Sequence, residues 1–138
     1  DVYKRQLYND MMANPALLET VMQAVASYHT PLKLMLLATG FAAQHKVLAQ
    51  RYQLELLFEA FADRRYKSDG SLTPRSQMGS VLDHQDALVQ VQQLLQNGTV
   101  QSDTGDRVVI QADTLCVHGD NPAAVALVQS IRQLLEQS

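Results

Sequence analysis

Short apolar runs alternate with segments of helical periodicity along this chain, and no other sequence feature limits its fold as strongly. The runs are typical of buried strands, and they lie at residues 34–38, 54–60 and 114–117. Helical stripes of apolar residues lie at residues 14–30, 42–52, 85–96 and 122–138. Because strands alternate with helices, the pattern predicts an α/β fold with mainly parallel strands and helices outside. A small hairpin is predicted around Gly105.

Local signals mark several helix ends. Asn14-Pro15 predicts a helix start, because Asn caps free amides and Pro fits the first turn. Asn97-Gly98 predicts a helix end, and Pro122 predicts the start of the last helix. We expect that helix to bury one apolar stripe, made of Val125, Val128, Ile131 and Leu135.

The number of strands bears on the architecture. A barrel of eight β/α units usually takes about 250 residues, so this chain of 138 residues corresponds to about half of one. We therefore expect residues 7–138 to form the C-terminal part of a single, distorted β/α-barrel domain, with an open edge strand near Leu34. Residues 1–6 are similar to the translated end of a transposon adapter, and we expect native sequence to begin at Leu7.

Composition excludes several classes of protein. The net charge of −3 gives no electrostatic case for nucleic acid, and no apolar run approaches the length that spans a bilayer. The single cysteine, Cys116, rules out an internal disulfide framework. The composition thus gives no sign of nucleic-acid or membrane binding, and it permits a cytoplasmic protein, which is the location we expect. His29, His45 and His84 lack metal-ligand spacing and are predicted to be surface residues.

The exit of the second apolar run carries titratable side chains. Ligands bind at the carboxyl ends of parallel strands, so polar residues there are candidates for chemistry. Glu59 is interpreted either as a general base or ammonium ligand, or as half of a buried salt bridge to an arginine. Asp63 either orients an arginine or acts in catalysis. Arg64 and Arg65 present donors suited to carboxylate or phosphate, and the alternative is that they are a solvated pair of charges in the loop.

The exit of the third apolar run carries a second set. His118 and Asp120 are interpreted as an acid/base pair, since a carboxylate fixes the tautomer of a nearby imidazole. The alternative is that Asp120 only caps the last helix and that His118 is a satisfied polar group at the strand end. Spacing alone favours this structural alternative.

Two long segments together resemble one known family. Residues 58–66, Phe-Glu-Ala-Phe-Ala-Asp-Arg-Arg-Tyr, and residues 115–122, Leu-Cys-Val-His-Gly-Asp-Asn-Pro, resemble motifs of the LamB/YcsF family of 5-oxoprolinase A subunits. Asp69-Gly70, Arg75 and Gly79 follow the first motif as in the family. The resemblance extends over residues 7–138. Family members carry Lys-Pro-His-Gly-Ala before Leu-Tyr-Asn, and this stretch is absent before Leu7.

The resemblance implies a function. It implies a subunit that, with two other 5-oxoprolinase subunits and ATP, hydrolyses 5-oxo-L-proline to L-glutamate. It implies catalytic roles for His118, Asp120, Glu59 and Asp63, and substrate-binding roles for Arg64, Arg65 and Asn9. No metal is expected in this chain. Because a site built from several strand ends needs all of them, we expect the chain alone to be inactive.

Two other interpretations of the sequence remain open at this point. A metal-dependent, deacetylase-like hydrolase would use His118 and Asp120 as metal ligands and would lose activity with a chelator. A small α/β binding module without catalysis would unfold cooperatively as a monomer and would expose little apolar surface.

Overall fold

The computed structural model describes residues 2–118 and 122–138. Over these residues the elements are, in chain order, α1 (Val2–Ala13), α2 (Pro15–Ala26), β1 (Lys33–Leu37), α3 (Ala42–Gln50), β2 (Glu55–Phe61), α4 (His84–Asn97), β3 (Thr99–Gln101), β4 (Arg107–Val109), β5 (Thr114–Cys116) and α5 (Pro122–Gln137). The predicted alternation of strands and helices is confirmed. Helix α1 was not predicted.

The main sheet contains β1, β2 and β5 in that order, with all neighbours parallel. Strand β2 is central, and β1 lies at an edge, as predicted for the segment near Leu34. The mixed α/β fold with a parallel sheet and helices is therefore confirmed. Three strands in an open sheet do not close on themselves, so the barrel itself stays a prediction. The predicted hairpin is also present, as the antiparallel pair β3–β4.

Register divides the residues of the sheet between two faces. Leu36 pairs with Phe58, and Ala60 pairs with Leu115, so these side chains share one face. They belong to the larger hydrophobic cluster, which also takes in side chains of α1, α2 and α3. The other face carries Glu59 and the next side chain in its row, which is Phe61. Glu59 thus lies on the face opposite to Phe58 and Ala60, together with the apolar residues Leu37 and Phe61.

The predicted helix ends form as expected. The side chain of Asn14 accepts hydrogen bonds from the backbone N–H groups of Ala16 and Leu17, at 3.0 and 3.3 Å. Gly98 ends α4 in the left-handed region with φ +63°, where its N–H donates to the carbonyl of Leu94. Local residue chemistry determines both ends.

The predicted buried stripe of α5 is wrong at most of its positions. Ala124, Leu127 and Ile131 are buried, whereas the other predicted members of the stripe, Val125, Val128 and Leu135, are about half exposed. Apolar residues surround much of this helix, so periodicity permits two stripes. Helix α5 packs against α4 through Leu127 and Ile131, which share a hydrophobic cluster with Ala87 and Val91 of α4.

A buried glutamine holds the exit of β2. The amide nitrogen of Gln90, on α4, donates to the carbonyl oxygens of Phe61 and Arg64 at 2.9 Å and of Ala62 at 3.2 Å. These carbonyls lie where the strand ends and no ladder partner remains. Gln90 therefore fixes the backbone from which Asp63 projects.

We expect Gln90→Leu to lower the free energy of unfolding by about 2–3 kcal/mol, because it leaves buried carbonyl groups without a donor. Urea denaturation monitored by circular dichroism measures the change. Gln92→Leu is the matched control, since Gln92 is exposed on the same helix, and we expect a change within about 0.5 kcal/mol. Equal stabilities of the two variants would contradict this account of Gln90.

His45 is not the surface residue that was predicted. It is half-buried on α3, and its Nδ1 atom is buried without a hydrogen-bond partner among the described residues. Burial lowers the pKa of His45 below its ordinary value of 6.5, because desolvation disfavours the charged imidazole. The other two histidines of the prediction, His29 and His84, are exposed.

The lowered pKa predicts a pH dependence of stability. As the pH falls through 6.5, the unfolded chain takes up a proton at His45 that the folded chain does not, so the free energy of unfolding decreases. We expect His45→Gln to remove this part of the decrease, whereas His29→Gln leaves it unchanged. Chemical denaturation between about pH 7.5 and 5.5 measures the difference. Parallel profiles for the parent and His45→Gln would contradict the prediction.

Candidate active site

Asp63 and His118 meet at the exits of two adjacent parallel strands. One carboxylate oxygen of Asp63 accepts the backbone N–H of His118 at 3.2 Å, and the other lies 3.1 Å from Nδ1 of the imidazole. The ring also stacks on Phe61, with 5.6 Å between centroids. When the N–H group at Nδ1 donates a hydrogen bond to Asp63, Nε2 is unprotonated, and its lone pair is able to accept a proton from water. This geometry suits general-base chemistry.

The carboxylate that contacts His118 is that of Asp63, which follows β2. The sequence predicted a different partner for His118, Asp120, which follows the same strand as His118. The predicted partner, Asp120, lies outside the described residues, so its pairing with His118 stays a prediction. Asp63 is separated from His118 by 55 residues, and the parallel pairing of β2 with β5 brings the two together. Asp63 thus contacts an imidazole, and its two predicted roles, orienting an arginine or acting in catalysis, stay predictions.

Tyr66 supports the same strand exit. Its side chain is fully buried, and its hydroxyl oxygen accepts the backbone N–H of Phe61 at 2.9 Å. Burial raises the pKa of Tyr66 to about 12, so the phenol remains protonated at physiological pH. The sequence motif contained this tyrosine, but its spacing gave no indication of the contact with Phe61.

Glu59 has a tyrosine partner. The hydroxyl of Tyr8, on α1, donates to Oε2 of Glu59 at 3.2 Å, and both side chains are partly buried. Among the side chains that the structure describes, Glu59 forms no ion pair with an arginine, which its structural alternative required. Burial, together with the charge of Glu59, raises the pKa of Tyr8 well above its ordinary value. Tyr8 thus keeps its proton and acts as a hydrogen-bond donor to the carboxylate of Glu59.

The two arginines of the loop after β2 differ in their exposure to solvent. Arg64 is buried, and one guanidinium nitrogen donates to the carbonyl of Thr73 at 2.7 Å. Burial and then the positive charge of Arg75 lower the pKa of Arg64, while Asp63 acts in the opposite direction. Arg65 is partly exposed and lines a cavity of about 420 Å³ between this loop and the β3–β4 hairpin. Their substrate-binding roles stay predictions.

A close backbone approach anchors this loop. Gly70, at the predicted turn, has φ +83°, and a Cβ atom there would lie 2.8 Å from the backbone nitrogen of Gly40. Asp69 accepts the backbone N–H of Ser71 at 2.9 Å, which closes the turn. The loops that follow β1 and β2 are therefore packed against each other.

Asn9 lies beside Tyr8 on α1 and is exposed, and its predicted contact with substrate stays a prediction. A cavity of about 500 Å³ is lined by residues that include Phe58, Ala60 and Leu115. Those side chains lie on the face of the sheet opposite to Glu59. The polar groups of the candidate site therefore do not line it.

The described residues 2–118 and 122–138 contain no group of three His, Cys, Asp or Glu side chains that would hold a metal ion. The metal-dependent interpretation of the sequence gains no supporting observation there. None of the helices in the same residues is both long and apolar enough to cross a membrane.

Comparison with known proteins decides the family. The profile of the LamB/YcsF family matches residues 4–138. This chain belongs to the LamB/YcsF family. The resemblance inferred from the motifs at the two strand exits is therefore confirmed. The match begins within the six residues predicted to be foreign, and their origin stays a prediction.

Several curated relatives are named as the A subunit of 5-oxoprolinase. The chain is 47% identical over 132 residues to the A subunit of 5-oxoprolinase from Vibrio cholerae, covering 95% of this chain and 53% of that protein. It is 46% identical over 134 residues to the A subunit of 5-oxoprolinase from Pseudomonas fluorescens, with 95% and 53% covered. The chain thus spans about half the length of the curated relatives it matches.

A solved structure shares the fold. The crystal structure of a lactam utilization protein from Thermus thermophilus superposes with a TM-score of 0.79 at 30% identity. The alignment covers 95% of this chain and 51% of that chain. The arrangement described above for the sheet and helices is therefore that of a known lactam utilization protein of about twice the length.

The contact between Asp63 and His118 predicts the behaviour of one amide. We expect Asp63→Ala to speed hydrogen exchange of the His118 amide by about tenfold, because it removes the charged acceptor of that N–H group. Asp103→Ala serves as the control, since Asp103 is exposed on the hairpin. Exchange of the His118 amide at an unchanged rate in Asp63→Ala would show that the carboxylate does not hold this strand exit.

Proposed function

We propose that this chain supplies one side of the active site of a 5-oxoprolinase A subunit, which hydrolyses 5-oxo-L-proline to L-glutamate. The observation that carries the proposal is the contact of Asp63 with both the backbone and the ring of His118, at the exits of adjacent parallel strands. Ligand sites of parallel α/β folds lie at such exits. The names of the curated relatives and of the solved neighbour support the same chemistry.

In this proposal His118 acts as a general base. With Nδ1 bonded to Asp63, its Nε2 accepts a proton from the water that attacks the lactam carbonyl. Asp63 then stabilises the imidazolium that forms, as a buried carboxylate does in hydrolytic triads. Phe61 restricts the orientation of the ring by stacking. Asp120 and Arg64 keep the roles that the family motif implies, in water positioning and in binding the substrate carboxylate.

Coupling to ATP belongs to the proposal at the level of the assembled enzyme. An unstrained amide resists hydrolysis, so a second reaction must drive ring opening. The chain has no phosphate-cradling glycine loop of the Walker type, so its residues do not indicate a nucleotide site of that class. We therefore assign nucleotide binding to the complex with two partner subunits, which acts in the cytoplasm.

A chimeric protein tests the function. Residues 7–138 of this chain replace the matched segment of the Vibrio cholerae 5-oxoprolinase A subunit, and the chimera is assayed with the partner subunits of that organism. We expect ATP-dependent release of glutamate from 5-oxo-L-proline. Loss of a general base predicts that His118→Ala lowers kcat by about 100-fold or more. His84→Ala, at an exposed position, leaves kcat unchanged.

Two results would contradict the proposal. One is a folded chimera that releases no glutamate while the parent protein does. The other is full activity of His118→Ala, which would show that the Asp63–His118 pair is structural. Inactivation of the chimera by a chelator that does not remove the Mg²⁺ of ATP would instead favour the metal-dependent alternative.

A further inference from the structure

The Tyr8–Glu59 pair takes no part in the general-base chemistry proposed above. It places a hydroxyl donor and a carboxylate acceptor side by side, with 3.2 Å between the two oxygens. Glu59 shares its face of β2 with Phe61, on which the His118 ring stacks. Side chains two residues apart on a strand are separated by about 7 Å, so a small ring bound at Glu59 lies within reach of His118.

The amide of a small lactam differs in shape from an open-chain amide. The ring forces the amide bond into the cis form, so its N–H and C=O groups point to the same edge. An open-chain secondary amide is trans, and its two groups point in opposite directions. One donor beside one acceptor is therefore complementary to the edge of a lactam, and it matches an open-chain amide at only one of its two groups.

We propose that Tyr8 and Glu59 together bind the cis-amide edge of a lactam. Glu59 accepts the ring N–H, and the hydroxyl of Tyr8 donates to the ring carbonyl oxygen. The inference rests on the proposed function, which it deepens by assigning the groups that distinguish lactams from other amides. In the absence of ligand, the two side chains satisfy each other through their mutual hydrogen bond.

The protonation state of Tyr8 agrees with its role as a donor. The pKa of Tyr8 is raised by burial and by the charge of Glu59, so the phenol keeps its proton throughout the working pH range. It acts as a donor and not as a base. A ligand without the N–H group would leave a partly buried carboxylate without its partner, which disfavours its binding.

Titration of the purified chain with two ligands tests the inference without ATP or partner subunits. The ligands are 5-oxo-L-proline and its N-methyl derivative, and NMR chemical-shift changes measure both Kd values. We expect the N-methyl compound to bind at least about tenfold more weakly to the parent chain. In Glu59→Met the ratio of the two Kd values falls to about 1–3, because no acceptor contacts the N–H group.

Tyr8→Phe tests the donor. It keeps the ring and its packing but removes the hydroxyl, so we expect about tenfold weaker binding of 5-oxo-L-proline with the ratio of Kd values preserved. The matched controls are Glu55→Met, exposed on the same strand, and Tyr28→Phe, an exposed tyrosine, and both leave binding unchanged. Thermal unfolding verifies that each variant is folded. A merely structural role of the pair would alter stability without altering the ratio.

The outcomes separate this inference from the proposed function. An unchanged ratio in Glu59→Met, unchanged affinity in Tyr8→Phe, or failure of the parent chain to bind either lactam would overturn the inference. If the chimera is active but the ratio of Kd values is unchanged in Glu59→Met, the proposed function is supported and the inference about Tyr8 and Glu59 is rejected. Discrimination between the two lactams by an inactive chimera would uphold the binding role and reject the catalytic one.

Discussion

The carbonyl groups at the end of β2 are the groups on which the rest of this structure depends, because the strand stops there and its ladder partners stop with it. Gln90 provides their donor from α4, and its amide reaches Phe61, Ala62 and Arg64. A buried side chain thus substitutes for the next rung of the sheet. The backbone at Asp63 is fixed as a result, and so is the point from which the candidate site is built.

Parallel pairing then converts two distant segments into one site. The strand pair β2–β5 aligns Phe61 with Cys116, and two residues further along each chain Asp63 meets His118. Tyr8 reaches the same face of the sheet from a helix 51 residues away in sequence from Glu59. Asp63 meets His118 because their strands are neighbours in the sheet, and Tyr8 meets Glu59 because α1 packs near β2. The spacing within any one motif does not determine either contact.

Sequence reasoning succeeded where the determining chemistry is local. The cap at Asn14 and the left-handed end at Gly98 need only their own residue types, and the buried strand runs need only their apolar composition. It failed where a choice depends on a partner. The face that α5 buries depends on how α4 packs, and the pairing of His118 with Asp63 depends on strand order. The one available signal for Gln90 was its position beside Ala87 and Val91 in the buried stripe of α4.

The position of β2 in the middle of the sheet has a consequence for how such a fold changes over evolution. Both neighbours of β2 are already in place, and within the described residues β1 and β5 each pair on one side only. Additions to the sheet extend it at these margins, away from the exit of the central strand. The exit of β2, which carries Asp63, is thereby separated from additions beyond β1, whereas the exit of β5, which carries His118, lies at a margin where an added strand would adjoin the Asp63–His118 contact.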